Sequence, residues 1–175
     1  MMGIVFSGIP GKSVLRLKKI YNLNNFIETG TLAGKSAIWA AKHFKKVVTI
    51  EVNADIWSST SQRYQKEFKN IEFMWGSSLK HLTTVLKNFS GPSLIWLDAH
   101  WSRDLGYKKP EVICPVLEEL SIIRINSKSK NIILIDDARL FGVERGWPTF
   151  SQIEFAVKFD NRIMYVEDDV IYSIP

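Results

Sequence analysis

Short runs rich in β-branched and aromatic residues alternate with segments of helical period along most of this chain. Residues 13–21 predict a short leading helix, and Asn25-Phe26-Ile27-Glu28 a first strand. A glycine-bearing turn leads to a helix over 35–44, then to a second strand at 46–51 and a helix over 54–68. Residues 71–75 form a third strand, closed by Gly76-Ser77-Ser78 and a helix reaching 88. The fourth strand, 93–98, is apolar without alternation, as expected of a central strand covered on both faces. A loop over 99–113, a helix at 114–126 and a fifth strand at 131–136 follow. After a second loop over 137–148 comes a helix at 149–158, where Ser151 and Glu154 have the spacing of a capping box. Residues 162–174 read as a closing hairpin turning at Glu167-Asp168-Asp169.

Strands alternating with helices predict an α/β protein with a doubly wound, mostly parallel, seven-stranded sheet and a C-terminal antiparallel hairpin. The whole chain, 1–175, reads as one domain with a short helical segment over 1–24. Ligands of such sheets bind outside the carboxyl ends of the strands, at the point where strand order reverses.

Composition narrows the picture by exclusion. No apolar run is long enough to cross a bilayer, and the N-terminal residues do not read as a signal peptide. The single cysteine, Cys114, allows no internal disulfide; with the missing leader this favours a cytoplasmic placement. The net charge of +5 comes from lysines scattered in pairs, not from a dense run, so a nucleic-acid partner is disfavoured.

The predicted strand ends carry the chemistry. The first leads into Glu28-Thr29-Gly30-Thr31-Leu32-Ala33-Gly34-Lys35-Ser36, whose glycines let the backbone approach a ligand closely. The second ends in Glu51, where a carboxylate can accept both hydroxyls of a ribose. The third ends in the small polar turn Gly76-Ser77-Ser78, able to pass beneath an adenine. The fourth delivers Asp98-Ala99-His100-Trp101 and the fifth Asp136-Asp137. Three carboxylates at adjacent strand ends repel one another unless a cation, a proton or a basic side chain sits among them, and oxygen donors suit Mg²⁺. Such an ion would acidify an acceptor hydroxyl. A metal-free site with His100 or Asp98 as base is the alternative.

This ordered set resembles the class I S-adenosylmethionine (AdoMet)-dependent methyltransferases, most closely those of the catechol and caffeoyl-CoA O-methyltransferase type, over residues 25–140. The resemblance implies AdoMet as cofactor. Gly30, Thr31, Gly34 and Ser36 would hold its methionine part, with Glu28 at the amino-acid end. Glu51 would hold the ribose, Val52 would flank the adenine, and Gly76, Ser77 and Ser78 would lie beneath it. Trp101 or His100 would stack on that base. Asp98, Asp136 and Asp137 would ligate a metal, with Asp98 and His100 as the catalytic residues. Two departures stand out: Asp137 replaces a usual asparagine, and Ser102 and Arg103 stand where a lysine base is expected. His100 then becomes the candidate base.

The implied acceptor is a hydroxyl of a small molecule or glycan, chosen by the two long loops, which carry Tyr107, Lys108, Lys109, Arg139, Phe141, Arg145 and Trp147. The brief leading segment leaves two arrangements: an open acceptor site, or one completed by a second subunit. Two other readings compete with the enzyme. Gly34-Lys35-Ser36 matches the tail of a phosphate-binding loop, as in an ATPase or kinase, although Thr29 stands where its first glycine belongs. A non-catalytic binding subunit of the same fold is the other.

Overall fold

The computed structural model describes residues 8–101, 112–127 and 130–175. Five parallel strands are β1 (Asn25–Thr29), β2 (Lys46–Glu51), β3 (Ile71–Trp75), β4 (Ser93–Leu97) and β5 (Ile132–Ile135). The hairpin strands β6 (Ile163–Glu167) and β7 (Val170–Ile174) close the sheet, β7 running antiparallel to β5. The strand order is β3-β2-β1-β4-β5-β7-β6, so the chain reverses direction across the sheet between β1 and β4. The doubly wound sheet with its antiparallel hairpin is therefore as the sequence pattern predicts.

Side chains of period two, covered on both faces, explain why the central strands are largely apolar. Ile27, Val48, Ile50, Ile95, Leu97, Ile133 and Ile135 face one way. They meet α4 (Ser78–Asn88), α5 (Val116–Asn126) and α6 (Phe150–Val157) through Leu82, Val85, Leu120, Ile123, Ile153 and Val157. Phe26, Val47, Leu94, Trp96, Ile132 and Leu134 face the other layer. There they pack against Val14 and Leu17 of α1 (Gly11–Ile20) and Ala37 and Ala40 of α2 (Lys35–Ala41). The remaining helix, α3 (Ala54–Tyr64), starts at Asn53, whose side chain caps the backbone N–H groups of Asp55 and Ile56.

Two helices are shorter than their patterns suggest, α2 ending at Ala41 and α3 at Tyr64. The cap of α6 also differs. Thr149, not Ser151, is the N-cap, and its partner is Gln152 rather than Glu154; Ser151 lies inside the helix. The polar residue that wins is the one at the chain's entry into the helix, where the free N–H groups are.

The hairpin turn consists of Asp168 and Asp169, both at positive φ (51° and 64°), and Glu167 is the last residue of β6. Buried Arg162 fastens this hairpin to the sheet, donating to Ser173 Oγ (2.7 Å), Ser173 O (2.7 Å) and Asn131 O (2.5 Å). Among the described residues, no helix is long and apolar enough to cross a membrane.

Candidate active site

The sheet's hydrogen bonding runs one residue past each strand and aligns the site. Gly30 N–H donates to Ile50 O, Gly76 N–H to Glu51 O, Asp98 N–H to Thr29 O and Asp136 N–H to Leu97 O, all between 2.8 and 3.1 Å. The residues picked out at the predicted strand ends are thus brought into one row along the carboxyl edge.

On the β1–β2 side, Glu51 holds the turn after β1. Its Oε2 accepts the N–H groups of Thr31 (3.1 Å) and Leu32 (3.0 Å), and its Oε1 accepts that of Asn53 (2.9 Å). Glu28 is fully buried beneath this turn, accepting the hydroxyls of Ser36 and Thr49, and Thr49 meets Thr31 hydroxyl to hydroxyl at 2.6 Å. Burial pushes Glu28 up to about 7 against those two hydrogen bonds, so it is largely protonated in mildly acidic solution.

The two turn glycines lie close against neighbouring protein atoms. At Gly30 (φ 86°) a Cβ would stand 2.4 Å from Asp98 O, and at Gly34 (φ 72°) 2.8 Å from Thr60 Cγ2. These close approaches let the turn lie against the end of β4 and against α3. Around this edge, three apolar side chains are left exposed: Leu32, Val52 and Trp75, the last stacked on Trp57 at 6.0 Å. All are tied to Glu51, by chain (Val52), by register (Trp75) or by hydrogen bond (Leu32). Gly76 packs against His81, Ser77 caps α4, and Ser78 is buried.

Across the switch point lies an acidic group. His100 stands between two carboxylates, Nδ1 3.4 Å from Asp98 Oδ1 and Nε2 3.1 Å from Asp137 Oδ2. Its ring packs on Trp147 (4.8 Å), which in turn meets Phe141 edge-on (5.1 Å). This places His100 toward β5 and the second long loop. Arg139 bonds Asp137 Oδ1 at 2.6 Å and also Asp169 of the hairpin turn. Asp136 Oδ1 accepts the N–H of Asp137 (2.8 Å).

Asp98, His100 and Asp136 share with Cys114, Glu119, Phe141 and Trp147 a small pocket between the ends of β4 and β5. Burial, then the charges of Asp136, Glu28 and Asp137, holds Asp98 well above the carboxylate range. Burial and then Asp137 bring Asp136 up to about 7. For His100 burial lowers the pKa, Asp137 works against it, and Arg139 reinforces it. Cys114 is pushed up to about 12, chiefly by burial, so the thiol is inert at neutral pH.

Glu119 is the residue that the sequence reading missed. It lies 1 % exposed on the inner stripe of α5, and its Oε1 receives no hydrogen bond among the described residues. Burial lifts it to about 7, with the Ser78 and Thr29 hydroxyls opposing. The available signal was a carboxylate at a core position, in step with Val116, Leu120 and Ile123. Trp101 is placed by its N–H, which donates to Ile113 O at 2.8 Å. Ser102, Arg103, Tyr107, Lys108 and Lys109 lie outside the described residues.

Solved structures align over nearly the whole chain. The O-methyltransferase TomG of Streptomyces achromogenes, in complex with AdoMet, matches with a TM-score of 0.61 and 19% identity, over 94% of this chain and 78% of that one. A Staphylococcus aureus protein provisionally assigned as a caffeoyl-CoA O-methyltransferase gives 0.68 and 17%, over 93% and 81%. A methyltransferase from Geobacter sulfurreducens gives 0.62 and 13%, over 94% and 76%. The chain has the class I methyltransferase fold. No protein-family model matches it. No curated protein matches it.

Within the methyltransferase fold the phosphate-loop reading fails on its own residues. The Ser36 hydroxyl is spent on buried Glu28, Lys35 is exposed, and Gly34 opens a helix of only seven residues. A triphosphate there would face the Glu28 and Glu51 carboxyls.

Proposed function

We propose that this protein is an AdoMet-dependent O-methyltransferase acting on a hydroxyl of a small molecule or sugar with help from a divalent cation. The observation that carries the reading is the packing of Gly30 on the backbone of Asp98. It sets the Glu51-held turn directly beside the carboxylates, so a methyl donor on one side meets an acceptor on the other.

The residues fit both groups. Leu32, Val52 and Trp75 form an apolar rim beside Glu51, suited to an adenine above a ribose. Gly30, Thr31, Gly34 and Ser36 line the methionine side over Glu28, with Gly76, Ser77 and Ser78 below the base. Asp98 and Asp137, with Asp136 or His100, supply the donors for a cation, and the unpaired Glu119 Oε1 in the same cavity marks an unmet polar demand. AdoMet would supply a methyl group on a sulfonium, and the cation would acidify and orient the acceptor hydroxyl.

The chain's own part is positional and electrostatic. Trp147 and Phe141 wall the cavity and receive the acceptor's apolar face. The hydroxyl's proton passes to His100 or Glu119, both near the reacting edge. With AdoMet bound, the deprotonated oxygen would receive its methyl group, and S-adenosylhomocysteine would be the leaving group.

Calorimetric titration with AdoMet, once with Mg²⁺ and once with EDTA, tests the reading. Binding at micromolar dissociation constants, about −8 kcal/mol, is expected. Heat with ATP and none with AdoMet would overturn it, and silence with both would favour a non-catalytic subunit.

A further inference from the structure

We infer that His100 is a metal ligand, and that Asp98, His100 and Asp137 form a mixed nitrogen–oxygen site preferring a transition-metal dication to Mg²⁺. The inference rests on the metal-assisted reading for its role in catalysis. It departs from an all-oxygen set of Asp98, Asp136 and Asp137.

One donor atom from each of the three residues lies within 4.8 Å of the others. Metal–ligand bonds of about 2.0–2.2 Å put neighbouring donors roughly 3.0–3.5 Å apart, so closure needs movements of about an ångström. His100 already meets both carboxylates at 3.4 and 3.1 Å, one through each ring nitrogen. For all three to ligate one ion, the ring presents one nitrogen to the cation and turns the other away from the carboxylate it now meets, which then joins the coordination itself. Asp136, by contrast, commits Oδ1 to the backbone of its neighbour.

The donors stand on firm supports. Asp98 follows β4 and Asp137 comes two residues after β5, while Trp147 backs the His100 ring. Arg139 takes the outer side of Asp137 through Oδ1, leaving Oδ2 facing His100. An independent observation points to a bound cation or its water shell. Glu119, almost wholly buried, lines the same pocket as Asp98 and His100, and its Oε1 has no hydrogen-bond partner among the described residues. A dication carrying one or two waters would satisfy it.

An imidazole among two carboxylates changes the ion chosen. Mg²⁺ favours oxygen alone, whereas nitrogen donors shift affinity toward Co²⁺ and Zn²⁺ along the usual divalent series. The test uses the full chain without AdoMet or acceptor. Titration with Mg²⁺, Mn²⁺, Co²⁺ and Zn²⁺ gives the affinity order, and pulsed electron-spin-echo modulation of bound Mn²⁺ reads directly whether nitrogen is coordinated.

We expect Co²⁺ and Zn²⁺ to bind at least tenfold more tightly than Mg²⁺, and the Mn²⁺ complex to show ¹⁴N modulation. His100→Gln should remove the modulation and the tenfold preference while leaving Mg²⁺ affinity nearly unchanged. If that variant does not fold, a His43→Asn/His81→Asn double variant replaces it, since His100 is then the sole histidine and must retain the signal. Mn²⁺ bound without nitrogen modulation, a signal that survives His100→Gln, or no dication bound at all would overturn the inference. A separate AdoMet titration in EDTA distinguishes the failures: AdoMet binding without a nitrogen-ligated metal removes this inference alone, and the reverse removes the methyltransferase reading.

Discussion

Glu51 Oε2 accepts the backbone N–H of Thr31 at 3.1 Å, tying the end of β2 to the turn after β1. With Leu32 and Asn53 as further donors, this carboxylate shapes the turn before any ligand arrives. Oε2 already accepts two N–H groups and Oε1 one, so the remaining lone-pair capacity for a ribose hydroxyl is on Oε1. Glu51→Gln puts an amide N–H₂ against backbone donors. We expect a stability loss of about 2 kcal/mol and a fall in AdoMet affinity of roughly 10- to 100-fold. Denaturant midpoints and calorimetry check the pair. Weaker AdoMet binding with an unchanged midpoint would mean that Glu51 serves the ligand alone.

Gly30 and Gly91 share a positive φ, 86° and 80°, but not their surroundings. A Cβ at Gly91 meets nothing within 4 Å, whereas at Gly30 it strikes the Asp98 carbonyl at 2.4 Å. Gly91→Ala should therefore cost only the conformational strain, about 1–2 kcal/mol. Gly30→Ala should cost a further 1–3 kcal/mol from overpacking. Urea unfolding of both variants separates the two contributions. Equal losses would show that the end of β4 yields freely.

Glu28 and Glu119 each rise from an ordinary value of 4.5 to about 7, chiefly through burial. The folded state therefore holds protons that the unfolded chain has released. Their contribution is fully present below about pH 4.5 and is lost as pH rises through about 7. In EDTA, stability should fall across that window by about 1–3 kcal/mol per group. Glu28→Gln and Glu119→Gln should each flatten the profile. A wild-type profile that rises from pH 5 to 8 would show both carboxyls ionised in the folded protein.

The strands were legible because covering both faces of a sheet favours apolar residues at successive positions, as in Leu94–Leu97 of the wholly buried β4. Glu28, Glu51, Asp98, Asp136 and Asp137 were legible for a related reason: a carboxylate ending such a run stands out. Glu119 was not, because a helix hides one polar residue in its inner stripe without breaking the period. Nor was the bond from Arg139 to Asp169, which joins residues 30 apart and depends on how the hairpin folds back. The side of the sheet that His100 faces depends on the loop after Ala99, and local spacing does not encode it.

The cap of α6 is a small, clean case of the same limit. Ser151 and Glu154 have the right spacing, but Thr149 and Gln152 make the reciprocal bonds. Thr149→Ala should cost about 1 kcal/mol and Ser151→Ala close to nothing. Thermal unfolding of the two variants decides it, and the reverse order would return the cap to Ser151.

Arg139 joins Asp137, beside the proposed cation, to Asp169 in the hairpin turn. Its guanidinium partly neutralises a carboxylate that the cation also needs. Its half-exposed position lets water screen the effect, so removing the charge should favour the cation by about 1 kcal/mol, a fewfold gain in affinity. Arg139→Met keeps the apolar stem and should show that gain at low salt, shrinking as salt is raised. The lost hairpin bond should appear separately, as a lower unfolding midpoint without metal. Unchanged metal affinity at low salt would confine Arg139 to anchoring the hairpin.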